Sequence, residues 1–206
     1  MREYPWRLQL VCTLPVLLML ATLRTAIGSE SEVAAFFARY RVDAQLLTGV
    51  LTLVTDYGNY ALYLMYVGLL VWGVRGNNRS HINLAVAFIV AFAVTLLTVY
   101  FLKAGIGRAR PYMEPGFTRW IWVDDHHSFP SGHTTEALIS VIPVALYWRK
   151  CRYAFALGMI AALIAFTRAY LSVHYLTDIM GGTVMGNLGA FLTWILYRER
   201  MRKDAR

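Results

Sequence analysis

At 206 residues, with 58% of them hydrophobic and only 16% charged, the chain is far more apolar than a soluble domain, which carries about 45–50% apolar and about 25% charged residues. Its net charge of +8 would suit a nucleic-acid binder, but the basic residues fall in short stretches between apolar runs, where they act as topology signals; nucleic acid is set aside as a partner in favour of the lipid bilayer. Two cysteines, Cys12 and Cys151, are too few for a disulfide scaffold and lie in no metal-like cluster.

Six apolar stretches run in chain order, at residues 8–27, 57–74, 82–102, 134–148, 153–169 and 177–197. A crossing helix needs roughly 20 such residues. Arg2 and Arg7 precede the first stretch as they would a secretory signal. Its length, Arg24 near its far end and the lack of a small-x-small site read instead as a retained helix. Next, residues 29–56 set Phe36, Phe37 and Tyr40 beside Arg39 and Arg41, then an apolar run broken by Asp43, Gln45 and Thr48. That pattern predicts an amphipathic helix lying in the interface. Were it to cross, the spans would number seven and the termini would part. The second stretch ends at Arg75 and Arg79, and the third opens into a long loop, residues 103–133. The fourth is short and contains Pro143, which a membrane helix tolerates when neighbours satisfy the freed carbonyl. Arg149, Lys150 and Arg152 separate it from the fifth; a turn at 168–177 leads to the sixth, and Arg198, Arg200, Arg202, Lys203 and Arg206 close the chain. No repeat appears, so residues 1–206 read as a single domain. The expected fold is all-α: a polytopic membrane bundle of about six transmembrane helices with an interfacial helix between the first two. All the basic clusters then share one face, the cytoplasmic one. The 103–133 loop and the 168–177 turn share the other.

Those two segments hold nearly every unusual polar residue. Lys103, Arg110 and Arg168 are cations at the ends of separate helices, costly near hydrocarbon unless an anion is shared among them. Guanidinium groups match phosphate oxygens with paired bonds, and lysine adds a point charge. Ser131 and the backbone N–H of Gly132 stand at a helix start, which suits an anion. Together these residues predict a phosphate cradle. His174 and Asp178 are four apart, so on a helix entrance they face the same way. The carboxylate can orient the imidazole and leave its other nitrogen aimed at phosphorus. His133 can give a proton to a leaving oxygen, a task that histidine's unperturbed pKa suits. Phosphoryl charge would be stabilised by the three cations. No metal or other cofactor is called for.

Lys103-x6-Arg110-Pro111, Pro130-Ser131-Gly132-His133 and Arg168-x5-His174-x3-Asp178 resemble, in order and spacing, the three signature motifs of the type 2 phosphatidic acid phosphatase (PAP2) superfamily. One departure is Thr167, where the family pattern usually has serine; the hydroxyl is kept. The resemblance implies that His174 is the nucleophile, His133 the general acid and Asp178 the orienting carboxylate. It likewise implies that Lys103, Arg110, Ser131, Gly132 and Arg168 bind phosphate. By analogy it implies a bacterial inner-membrane enzyme with its site on the extracytoplasmic face, hydrolysing a phosphorylated membrane lipid such as undecaprenyl pyrophosphate, phosphatidylglycerophosphate or phosphatidic acid.

Singly, these residues have ordinary explanations. Lys103 and Arg168 resemble anchors at helix ends, Pro130-Ser131-Gly132 a capped turn and His174–Asp178 a structural pair. Jointly, in order and on one face, they do not. Arg108 and Arg119 read as solvated loop charges. Asp124, Asp125, His126 and His127 read as a polar loop, since adjacent residues rarely point at one ion. Trp120 and Trp122 suit an interfacial belt, and Gly181, Gly182, Gly186 and Gly189 suit close helix packing. Two other functions share the pattern: a lipid phosphotransferase, and a non-catalytic transporter or scaffold.

Overall fold

The structure, a computed structural model, describes residues 3–113, 116–117 and 126–205. Among the described residues there are seven α-helices: α1 (Trp6–Ala26), α2 (Glu30–Asp43), α3 (Gln45–Arg75), α4 (Arg79–Ile106), α5 (Gly132–Trp148), α6 (Cys151–Tyr170) and α7 (Leu176–Asp204). Four of them, α1, α4, α6 and α7, are long and apolar enough to cross a membrane. Large apolar side chains such as Leu10, Leu18, Leu64, Leu97, Ile160 and Leu188 point outward from the bundle. Hydrocarbon, not water, is the solvent that makes such a surface stable. The chain is an all-α integral membrane protein.

Three helices stand outside that group of four: α2, with 14 residues, α3 and α5. Helix α5 has 17 residues, and α3 is diluted by Asp56, Asn59 and four tyrosines. The boundary expected at residue 57 is not a helix boundary. Helix α2 ends at Asp43, and from Gln45 the chain runs as one 31-residue helix, about 46 Å long at 1.5 Å per residue. The apolar run 46–54 and the stretch from 57 carry no proline between them, so Asp56 is borne mid-helix rather than ending it. Helix α2 itself begins with a capping box in which Ser29 and Glu32 satisfy each other's backbone N–H.

Helix α5 is the centre of the bundle: Thr134, Thr135 and the run from Ala137 to Leu146 are buried. It packs against α7 through the four glycines. A Cβ on Gly182 would stand 2.5 Å from the Ser131 carbonyl, and one on Gly186 2.6 Å from Leu138 Cβ. Gly181 and Gly189 are equally crowded, by Phe129 and Ile139. At Gly182 and Gly186, which face the backbone of Ser131 and Thr135, only hydrogen lets the two backbones approach so closely. On the other side Gly158 of α6 lies against the Cys12 carbonyl of α1. Gln9 and Thr13 of α1 reach Asn187 of α7 at 2.7 and 2.9 Å, polar links suited to a bundle interior.

The bundle has two chemically distinct ends. At one, the start of α4 meets the end of α7: Ser80 and Tyr197 hydroxyls lie 2.7 Å apart, and the Asn83 amide donates to Asp204 at 2.6 Å. Arg75, Arg79, Arg198 and Arg200 belong to this end. At the other, the last turns of α4 and α6 meet the first turns of α5 and α7. Gly107, at φ +61°, ends α4 four residues after Lys103 and turns the chain toward Arg108 and Arg110.

Candidate active site

Backbone bonds join the three motif segments. The Ser131 N–H donates to the Asp178 carbonyl at 2.9 Å, and the Ser128 N–H to the Arg108 carbonyl at 3.0 Å. Lys103 Nζ donates to the His127 carbonyl at 2.5 Å. After α6, the N–H groups of Val173 and His174 fold back onto the Arg168 carbonyl at 3.2 and 3.3 Å, which sets His174 in the tight turn between α6 and α7. Residues separated by 70 positions in sequence thus share one end of the bundle.

Asp178 is completely buried and heavily engaged. Its Oδ2 accepts from the Ser128 hydroxyl at 2.6 Å and from the Tyr175 N–H at 2.8 Å; its Oδ1 accepts from Arg108 Nη1 at 2.6 Å. His174 Nδ1 lies 3.6 Å from Oδ2 and 3.5 Å from the Ser128 hydroxyl. The first of these is longer than a hydrogen bond, and catalytic pairs commonly tighten only when substrate is bound. With Nδ1 turned to Asp178, Nε2 is the nitrogen left for chemistry. Burial, together with Lys103 and Arg168, pushes the His174 imidazole down to about 3, against the opposing pull of Asp178. It is neutral at physiological pH, the form in which a ring nitrogen has a lone pair to give.

His133 opens the first turn of α5, and its carbonyl accepts from the Asn59 amide at 3.3 Å. It lies within electrostatic reach of Arg168, Lys103 and Arg110, and His174 within reach of Lys103 and Arg168. The two imidazoles therefore share the same cations. Arg168 is buried; Nη1 donates to the Thr55 hydroxyl at 2.6 Å, while Nε has no hydrogen-bond partner among the described residues. Lys103 Cε comes to 3.9 Å of the Cβ position of Gly132, which sets its stem against the N-terminus of α5. Ser131 is fully buried, its hydroxyl accepting from that of Thr134 at 3.0 Å. The Thr167 hydroxyl donates to the Ile164 carbonyl at 2.7 Å and is thus spent on its own helix.

Arg108 differs from expectation. It is no solvated loop charge: it bridges Asp178 and Glu30, 2.6 Å to each, donates to the Thr177 hydroxyl at 2.6 Å and stacks 4.3 Å over the Tyr175 ring. The cause is Asp178, a buried carboxylate that needs a cation. Glu30 brings the start of α2 into the same network. The second group that sequence reasoning passed over lies around Glu136, whose Oε2 accepts from Asn59 Nδ2 at 2.8 Å and Tyr63 Oη at 2.6 Å. These residues and His133 border a cavity of about 520 Å³. Its signal was in the chain: Asp56, Asn59, Tyr60 and Tyr63 follow i, i+3, i+4, i+7 spacing, a polar stripe on an otherwise apolar helix. Arg119, Trp120, Trp122, Asp124 and Asp125 lie outside the described residues. Of their neighbours, His127 serves through its carbonyl.

Comparison with known proteins identifies the family. A family model described as the PAP2 superfamily matches residues 84–202. Phosphatidylglycerophosphatase B of Bacillus subtilis (strain 168) is 28% identical over 187 residues, covering 85% of this chain and 88% of its own. Undecaprenyl-diphosphatase BcrC of the same organism is 26% identical over 152 residues, 71% of this chain and 73% of its own. The crystal structure of a transmembrane PAP2-type phosphatidylglycerolphosphate phosphatase from Bacillus subtilis shares the fold, with a TM-score of 0.58 at 23% identity over 89% of this chain and 93% of that one.

Proposed function

The chain belongs to the PAP2 superfamily as a phosphatase, and from that premise we propose that it hydrolyses a phosphomonoester or pyrophosphate of a membrane lipid through a phosphohistidine intermediate. The observation that carries this reading is the meeting of two imidazoles with shared cations at one end of the bundle: His174 beside Asp178 and His133 beside Gly132, both within reach of Lys103 and Arg168.

In the proposed reaction the phosphoryl group sits against Lys103, Arg110, Arg168, Ser131 and the N-terminus of α5. His174 Nε2 attacks phosphorus as the bond to the leaving oxygen breaks, and His133 gives that oxygen its proton. Water then attacks the phosphohistidine, with His133 taking a proton from it, and inorganic phosphate leaves with His174 restored. Asp178 holds the imidazole oriented and stabilises the positive charge it gains on attack. The cations stabilise the equatorial oxygens, where most of the barrier reduction in phosphoryl transfer is found.

The membrane reading follows the same premise. Helices α3 and α5 cross with α1, α4, α6 and α7, giving six spans, and α2 lies in the interface with its Phe36 and Tyr40 exposed. The arginine-rich end then faces the cytoplasm of a bacterial inner membrane, and the site faces outward, at a depth where a headgroup meets the cradle while its tails stay in lipid. Undecaprenyl pyrophosphate, phosphatidylglycerophosphate and phosphatidic acid are the substrate types considered.

The test is phosphate release from a panel of these lipids in detergent micelles. His174→Ala should abolish turnover, and vanadate should inhibit the unaltered enzyme competitively as a mimic of pentacoordinate phosphorus. Near-normal turnover by His174→Ala would overturn the nucleophile assignment; indifference to vanadate would count against the cradle.

A further inference from the structure

The cavity beside His133 has walls of one chemical character. Helix α3 supplies Asp56, Tyr60 and Tyr63 from its polar stripe, and α5 supplies Glu136, one turn beyond His133 and on the same face. Glu136 is not a swinging surface acid: Asn59 and Tyr63 both donate to its Oε2, while Oε1 comes to 3.9 Å of the Cβ position of Gly132, at the edge of the cradle. Among the described residues that line the cavity there is no lysine or arginine. Arg168 stands where cradle and cavity meet: its Nη1 donates to Thr55, which lines the cavity, and Asp56 and Glu136 lie within its electrostatic reach.

Resting on the reaction proposed above, we infer that this cavity receives the leaving group and that Glu136 and Asp56 make the enzyme selective for phosphomonoesters of alcohols over pyrophosphates. His133 protonates the leaving oxygen, so whatever that oxygen is attached to lies on the His133 side. In a phosphomonoester it is attached to carbon, and a hydroxylated headgroup can hydrogen-bond to the carboxylates and tyrosine hydroxyls. In a pyrophosphate it is attached to a second phosphorus, and the leaving group is itself a phosphate anion facing two carboxylates. Like charges about 6 Å apart, at an effective dielectric of about 20, correspond to a discrimination of roughly 100-fold. The Arg168 guanidinium, within reach of both carboxylates, and solvent entering the open cavity reduce this to about tenfold.

The experiment uses two lipids that differ by one phosphate: phosphatidic acid and diacylglycerol pyrophosphate with identical acyl chains, in the same micelles, followed by initial release of the terminal phosphate. The unaltered enzyme should show a kcat/KM for phosphatidic acid at least about tenfold above that for the pyrophosphate. Glu136→Gln and Asp56→Asn should each narrow the ratio by about fivefold or more. Because the readout compares two substrates on one preparation, a loss of folded protein cancels. Should a variant fail to fold, the ratio of the unaltered enzyme still decides. Equal or faster hydrolysis of the pyrophosphate by the unaltered enzyme, or a ratio the two variants leave flat, overturns the selectivity while leaving the phosphatase reading intact. Hydrolysis of neither lipid, nor of any lipid in the panel above, overturns that reading and this inference together.

Discussion

Replacing Arg108 with alanine tests whether Asp178, the partner of the proposed nucleophile, is held by a residue that is not one of the named motif positions. Arg108 Nη1 and Nη2 lie 2.6 Å from Asp178 Oδ1 and Glu30 Oε1, with side-chain exposures of 17% for Arg108, 0% for Asp178 and 31% for Glu30. Removing one partner of a buried ion pair costs about 3–5 kcal/mol. Asp178 keeps the Ser128 hydroxyl and the Tyr175 N–H, so the loss should lie nearer that of one charge-assisted hydrogen bond, about 2–3 kcal/mol. If the imidazole follows its carboxylate, kcat falls by about 30- to 150-fold. Arg108 is committed to Asp178 and Glu30 rather than to the cradle, so KM should change by no more than about threefold. Arg108→Lys keeps the charge but not the fork that spans two carboxylates, and should lose about tenfold. Glu30→Ala breaks only the more exposed half of the bridge and should cost about fivefold or less. The assay is steady-state phosphate release from phosphatidic acid in mixed micelles. A raised KM with kcat unchanged would make Arg108 a phosphate-binding residue instead, and full activity in Arg108→Ala would refute the reasoning outright.

Two further outcomes are expected. Gly182→Ala places a Cβ 2.5 Å from the Ser131 carbonyl, so α5 and α7 must separate; the overpacking should cost about 1–3 kcal/mol and lower the melting temperature in detergent, and an unchanged melt would show that the contact yields easily. His174 also gives stability a pH dependence with a definite sign. Its folded pKa of about 3 lies below the ordinary value near 6.5, so as pH falls through 6.5 the unfolded chain binds a proton that the native chain does not. Native stability should therefore fall by about 1.4 kcal/mol per pH unit from this group alone, through the window from about 6.5 to about 3. Melting curves of His174→Gln should lose less than the unaltered protein between pH 6.5 and 4.5, and parallel curves would contradict the assignment.

What the sequence made legible was local or periodic. Apolar runs gave α1, α4, α6 and α7 nearly in full, because their composition alone determines their environment. Gly181, Gly182, Gly186 and Gly189 announced a close helix contact, though not that α5 was the partner. Residues 29–75 divide at Ala44 rather than at residue 57, since Asp56 is a helix residue facing a cavity. Arg108 differs from expectation for another reason. Its partners, Glu30 and Asp178, lie 78 and 70 positions away, and no local pattern reports a pairing of that range. Glu136 sat three residues after His133 in plain view, but its role depends on Asn59 and Tyr63 from another helix.

The placement of the reactive groups at helix ends has a physical cause. A cation in the middle of a membrane helix is costly, whereas Lys103 and Arg168 stand in the last turn of α4 and α6, where a helix C-terminus stabilises positive charge. Gly132 and Asp178 stand in the first turn of α5 and α7, where a helix N-terminus stabilises negative charge. Alternating helix direction therefore brings two cation-favouring ends and two anion-favouring ends to the same rim: the first stabilise Lys103 and Arg168, whose side chains can attract a phosphate, and the second favour the anion directly. The glycine face of α7 then determines how close these ends come. With α5 and α7 in near backbone contact, the Ser131 N–H reaches the Asp178 carbonyl and the Ser128 hydroxyl reaches its carboxylate. Helix packing and the setting of His174 are in this sense one interaction: a side chain larger than hydrogen at Gly182 should loosen the bundle and the Asp178–His174 geometry together.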